Sequence, residues 1–146
     1  MEIRKLTIDD YDEIYNLWLA TPGMGLNDLD DSKEGIDRYL KRNPDTCFVA
    51  LEAHEIIGVI LSGHDGRRGY IHHMAVSIAY RNKGIGSALV DAATGALRDE
   101  GINKAALVVF RNNETGNTFW ERKGFSVRED LNYRNKALTE LKRIDT

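Results

Sequence analysis

Arg81-Asn82-Lys83-Gly84-Ile85-Gly86-Ser87-Ala88 lies between an extended segment and a long amphipathic helix. Upstream, Tyr70 to Ile78 reads as a strand. Downstream, Ile85, Ala88, Leu89, Ala92, Ala93, Ala96 and Leu97 recur at three- and four-residue spacing, which predicts one buried helix face. Two glycines at the first turn let the backbone approach a ligand closely and leave the helix's free N–H groups pointing outward. Those groups and the positive end of the helix dipole make a seat for phosphate, with Arg81 and Lys83 as cations on the approach.

The segments around this turn alternate between strand and helix patterns. Ile3 to Leu6 predicts a first strand. Thr7 and Asp10 then make a capping box for a helix carrying Tyr11, Ile14, Tyr15 and Trp18. Thr21-Pro22-Gly23-Met24-Gly25 breaks it, and an acidic loop from Asn27 to Asp31 leads to a second helix over Ser32 to Arg42, with Ile36, Tyr39 and Leu40 as its apolar stripe. Cys47 to Ala53 and Glu55 to Gly63 form a hairpin pattern around His54. The long helix ends at Gly101, Lys104 to Phe110 is a β-branched strand, and Asn113 caps a short helix over Glu114 to Lys123. Phe125 to Arg128 and Leu138 to Lys142 read as closing strands on either side of a polar loop with Tyr133. The order βααβββαβαββ predicts an α+β domain spanning residues 1–146 around one mixed sheet.

Composition narrows the partners. A chain of 146 residues with 42% hydrophobic and 29% charged residues has the make-up of an ordinary globular domain. A formal net charge of −3 argues against nucleic acid held by bulk electrostatics. One cysteine, Cys47, excludes an internal disulfide and suits a reducing compartment. No apolar run is long enough for a membrane span and the first residues do not open a signal peptide, so a cytoplasmic location is expected.

Several familiar motifs fail. No Gly-Lys-Ser/Thr ending exists for a Walker A loop, and Leu89 stands where a dinucleotide fingerprint needs its third glycine. Gly124-Phe125-Ser126-Val127-Arg128 lacks the second glycine of a nucleophile elbow. His54, His64, His72 and His73 with one cysteine lack metal-ligand spacing, so no metal is expected.

Met74-Ala75-Val76, then Arg81-x-x-Gly84-x-Gly86-x-Ala88-Leu89, then Asn113-x-x-Gly116-x-x-Phe119-Trp120-x-x-x-Gly124-Phe125 resembles the GNAT superfamily of acetyl-CoA-dependent N-acetyltransferases. The resemblance covers almost the whole chain. It implies a mixed, mostly antiparallel central sheet of six to seven strands, splayed at the cofactor cleft and flanked by about four helices. It also implies acetyl-CoA as acyl donor, with Arg81, Asn82 and the backbone of Lys83, Gly84, Ile85, Gly86, Ser87 and Ala88 at its pyrophosphate. Met74, Ala75 and Val76 would meet the pantetheine arm as an added strand would, from one side, and Asn113, Gly116, Phe119 and Trp120 from the other. Gly116 replaces the alanine usual in the family. Dimers are common in the family, so a homodimer is compatible with the resemblance.

Acetyl transfer to an amine needs a base, because an ammonium of pKa ~10.4 is not nucleophilic at neutral pH. Strict alternation puts Tyr70, His72, Met74 and Val76 on one strand face and Ile71, His73 and Ala75 on the other. In the aralkylamine-acetylating branch of the family, histidines occupy the places of Tyr70 and His72. His72 is therefore the expected base, acting through water with Tyr70 assisting; the alternative is that His72 is a core histidine and His73 faces the site. Trp120 stands where many members carry a tyrosine acid, and an indole cannot protonate a thiolate. Tyr133 and Tyr70 are the candidate replacements. Asp28, Asp30 and Asp31 border the expected acceptor region, either as an acidic lip for a cationic amine or as plain loop carboxylates beside a helix cap. The expected reaction is acetylation of a primary amine on a small molecule, peptide or protein; the competing expectation is a non-catalytic acyl-CoA-binding or regulatory module.

Overall fold

A computed structural model describes residues 1–146. The elements are β1 (Glu2–Lys5), α1 (Tyr11–Leu19), β2 (Leu26–Asn27), α2 (Lys33–Arg42), β3 (Phe48–Glu52), β4 (Glu55–His64), β5 (Gly69–Val76), α3 (Ile85–Asp99), β6 (Ala105–Leu107), α4 (Glu114–Arg122) and β7 (Arg143–Ile144). Single 3₁₀ turns at Ile8–Asp10 and Ile78–Tyr80 lead towards α1 and α3. Where local chemistry specifies a boundary, the element begins as the sequence predicts. The Thr7 N–H donates to Asp10 Oδ2 at 3.0 Å, Ser32 Oγ accepts the Gly35 N–H at 3.0 Å, and Asn113 Oδ1 accepts the Gly116 N–H at 2.9 Å.

Five strands form the central sheet in the order β1-β3-β4-β5-β6, antiparallel throughout except for the parallel β5–β6 pair. Apolar side chains from the two sheet faces feed two cores. On one face Ile14 and Trp18 of α1 and Ile36 and Leu40 of α2 pack on Val49, Val59, Leu61 and Ala75. On the other, Ile85, Leu89, Val90 and Ala93 of α3 pack on Ile57, Ile60 and Ile71, with Phe119 and Trp120 of α4 alongside. The expected α+β, splayed and mostly antiparallel architecture with four helices is what the chain adopts. Of its seven strands, β2 and β7 stand apart as a two-stranded ribbon.

Three local expectations are corrected. The β6 strand covers only Ala105–Leu107 instead of Lys104 to Phe110, and Phe125 to Arg128 and Leu138 to Lys142 are irregular. The closing partner is instead Arg143–Ile144, which pairs with Leu26–Asn27 in the segment expected to be loop. The β-branched run at Val108 and Val109 has strand propensity but no neighbour to pair with, because β5 and β6 diverge after Ile71 and Leu107.

The third correction concerns the faces of β5. Its register against β4 pairs Leu61 with His73 but Ser62 with Ile71, so one residue, His72, is extra on β5. Such a bulge breaks the two-residue alternation. Ile71, Met74 and Val76 therefore lie on the α3 side, whereas His73 and Ala75 lie with Trp18 on the α1 side. His72 turns to Tyr39 of α2. His72 and His73 thus share a face, and Tyr70 and His72 do not share one with Met74 and Val76.

Candidate active site

The divergence of β5 from β6 opens a cleft of 1540 Å³ that runs from the start of α3 to α2. Backbone direction along β5 explains why its edge is available. The Ser77 N–H donates to Ile57 O at 2.8 Å, towards β4, so the backbone polar groups of Val76 and Met74 face the opposite way. The β6 ladder has ended by then, and Arg81 Nε reaches the Val76 carbonyl at 3.3 Å.

One end of the cleft is the turn quoted at the outset. Gly84 sits at φ +79°, a left-handed conformation that glycine adopts without strain, and Asn82 precedes it at φ 61°. The first helical bond of α3 runs from the Ala88 N–H to Gly84 O at 3.0 Å, which leaves the N–H groups of Ile85, Gly86 and Ser87 without helical partners. Across the cleft, a Cβ at Gly86 would touch the Phe119 ring at 3.4 Å, so the small residue lets α4 approach. A Cβ at Gly116 would meet the Asn113 amide at 2.5 Å, so a larger residue there would shift this cap side chain. Met74, Ala75, Val76, Arg81, Asn82, Gly84, Ile85, Gly86, Asn113, Gly116, Phe119 and Trp120 are all brought to this cleft; Lys83, Ser87 and Ala88 complete the turn without lining it. Lys83 lies over the Tyr80 ring, and Ser87 Oγ accepts a hydrogen bond of 2.8 Å from Lys123, whose ammonium also pairs with Asp91 at 2.7 Å. Trp120 is wedged edge-on between Phe119 and Phe125, at centroid distances of 5.0 and 5.2 Å, which makes it a packing residue.

At the other end, the His72 ring meets Tyr39 edge-on at 5.3 Å and Tyr70 at 4.6 Å. His72 is open to solvent in the cleft yet enclosed by protein on most sides. That enclosure pushes its pKa below the ordinary histidine value, and neighbouring His73 adds to the shift, while Asp31 and Asp30 oppose it. The neutral imidazole, the form able to accept a proton, is favoured. Burial, and then proximity to Tyr133, pushes the Tyr70 phenol upward. Tyr133 itself is exposed on the irregular C-terminal segment and lines the same cleft.

His73 has a different occupation. Its Nε2 is 2.7 Å from Asp31 Oδ1, both side chains are nearly buried, and its ring packs edge-on against Trp18 at 4.9 Å. Asp31 Oδ2 also accepts the Asn27 N–H at 2.8 Å. The other loop acids are equally engaged, Asp28 Oδ1 by the Lys142 N–H at 2.7 Å and Asp30 Oδ2 by the Asn27 amide at 2.9 Å. These acids organise the loop, Asp30 and Asp31 also line the cleft, and Ser32 rather than an aspartate caps α2. Sequence reasoning passed over Arg38 and Arg42, which also line the cleft. Their four-residue spacing on the helix that follows the acidic loop was the available signal.

The sequence profile of the Acetyltransferase (GNAT) family matches residues 11–125. The chain is 31% identical over 140 residues to the acetyltransferase SG1711 of Sodalis glossinidius (strain morsitans), covering 96% of this chain and 97% of that one. Among solved structures, Ard1 from Thermoplasma volcanium superposes with a TM-score of 0.77 at 22% identity, over 87% of this chain and 83% of that one. PaiA N-acetyltransferase from Thermoplasma acidophilum, in complex with coenzyme A, superposes with a TM-score of 0.75 at 23% identity, over 88% and 91%. These two share the fold. With a sheet split at β5, a glycine turn opening α3 and a family match across both, the chain belongs to the GNAT family of acetyltransferases and is an acyltransferase.

Proposed function

We propose that the chain transfers an acetyl group from acetyl-CoA to a primary amine by direct attack within a ternary complex. The observation that carries this reading is the open edge of β5 at Met74 and Val76, flanked by the free N–H groups of Ile85 to Ser87 and leading to His72. A diphosphate fits the free N–H groups and Arg81, and an extended amide-bearing arm fits the edge of β5 that has no neighbouring strand past Ile71. That the PaiA structure contains coenzyme A supports the same choice of donor. Acetyl-CoA supplies an activated acyl group as a thioester.

The chain's own residues then have defined tasks. Neutral His72 takes a proton from the acceptor ammonium, directly or through one water. The amine nitrogen attacks the thioester carbonyl, a C–N bond forms, the C–S bond breaks, and the thiolate departs. An N–H of the β5 edge polarises the carbonyl oxygen. Tyr70, which keeps its O–H at neutral pH and lies beside His72, returns a proton to the thiolate; Tyr133 is the second phenol at the same end. The products are an amide, free thiol and one net proton.

Calorimetric titration with acetyl-CoA followed by an amine-dependent thiol-release assay tests both halves. Binding with turnover is expected, and Gly84→Asp should abolish binding by placing a carboxylate in the phosphate seat and a side chain at φ +79°. Absence of binding at millimolar acetyl-CoA overturns the donor assignment. Binding without turnover on a broad amine panel would return the binding-module reading.

A further inference from the structure

A second cavity of 460 Å³ adjoins the acceptor end of the cleft and shares Tyr39, Arg42, Tyr70 and His72 with it. Its volume falls in the range of small-molecule sites. The charged residues lining it are Arg42, Arg68, Lys104, Arg128 and a single carboxylate, Asp65. Of the cations only Arg128 is neutralised, by Asp130 at 2.9 Å. Asp65 is occupied by the N–H groups of Arg67 and Arg68, each at 2.8 Å. No carboxylate lies within ion-pair distance of Arg38, Arg42, Arg68 or Lys104.

We infer that the acceptor is a small primary amine that also carries a carboxylate or phosphate group, with Arg42 as the principal ligand of that anion. This rests on the transferase reading and specifies its substrate. Arg42 is common to both cavities, so an acceptor whose nitrogen reaches His72 can place its far end against the guanidinium. Arg68 and Lys104 stand beyond it, and Arg38, one turn away on α2, faces the cleft. An arginine with no protein carboxylate presents a planar fork suited to an oxyanion. A second cation on the acceptor would meet the unpaired Arg42, Arg68 and Lys104, and the one carboxylate lining this cavity, Asp65, already accepts two backbone N–H groups.

Four-carbon amines of different charge provide the test. Thiol release is measured with γ-aminobutyrate, its carboxamide and putrescine, and separately with phosphoethanolamine against ethanolamine. An anionic member should exceed its neutral counterpart in kcat/KM by roughly 10- to 100-fold, the scale of one charge-assisted hydrogen bond. The two pairs separate carboxylate from phosphate. Arg42→Gln should erase the preference by lowering kcat/KM for the anionic member of each pair. Lys41→Gln, the same charge change at a neighbour paired with Asp37, should preserve it. Equal rates within both pairs, a preference for putrescine, or a preference that survives Arg42→Gln overturns the inference and leaves the transferase reading intact. If no amine turns over, NMR titration with γ-aminobutyrate and phosphoethanolamine decides. Arg42-dependent shifts of the Tyr39, Tyr70 and His72 resonances uphold the anion site while the transferase reading falls; no such shifts reject the anion site too.

Discussion

Removing the Asp31 carboxylate should destabilise the fold far more than removing any surface acid. Asp31 is 4% exposed, its Oδ1 lies 2.7 Å from His73 Nε2 and its Oδ2 accepts the Asn27 N–H at 2.8 Å. Because a carboxylate only accepts, His73 carries its hydrogen on Nε2, and its Nδ1 is buried without a partner. Asp31→Ala therefore leaves the imidazole with no hydrogen bond at either nitrogen and orphans a backbone N–H as well. Two buried donors left without an acceptor cost about 1–3 kcal/mol each, which for a chain of this size is a Tm drop on the order of 10 °C. Asp31→Asn keeps the shape and one acceptor, so about 1–3 kcal/mol is expected. Urea unfolding measures both, with an unchanged m-value as the check that the midpoint shift reports stability. A cycle with His73→Phe, which keeps an aromatic ring against Trp18, isolates the pair and should show a coupling of about 1–3 kcal/mol. An Asp31→Ala variant within about 0.5 kcal/mol of the parent, the range of ordinary surface substitutions, would refute the claim that this pair holds the α1–α2 loop to β5.

Further outcomes follow from the same geometry. The turnover rate should fall on the acid side with a midpoint below 6.5, the ordinary histidine value, because burial depresses His72 and its protonated form cannot act as base. His72→Ala should abolish that limb in a pH–rate profile while leaving acetyl-CoA affinity nearly intact. The same depression contributes stability that is complete above pH ~6.5 and is lost as pH falls through the lower folded value, which acid unfolding of parent and variant will compare. Gly63→Ala should destabilise by about 1–3 kcal/mol, measured by thermal unfolding, because its Cβ would collide with the Tyr39 hydroxyl and the Asn43 side chain. Burial pushes the Cys47 thiol up to about 12, and its Sγ donates to Ser62 O at 3.0 Å. It should react with a disulfide reagent only at the rate of unfolding.

Several parts of this architecture were legible because their causes are local. Helix periodicity in Ile85 to Leu97, the caps at Thr7 and Asn113, and the glycine turn at Gly84 each depend on residues within one or two turns of one another. The closing strands were misplaced for the opposite reason. Val108 and Val109 have the composition of a strand, but a strand needs a neighbour, and β5 has already turned away. In the site, the histidine pair was visible as letters and its division of labour was not. Whether His72 or His73 faces the acceptor depends on the single extra residue in the β4–β5 register.

By itself, the sequence determined the α+β class, the family resemblance and the glycine turn within Arg81 to Ala88, since repeating apolar spacing and a contiguous motif carry that information along the chain. Tertiary structure alone decided that the bulge at His72 puts both histidines on the α1–α2 face, that Asp31 is spent on His73, and that Arg42, Arg68 and Lys104 surround one cavity. Each of these is a relation between residues on different elements. Cross-strand register and the convergence of side chains from α2, the β4–β5 turn and the start of β6 are set by packing, and no short-range pattern encodes them.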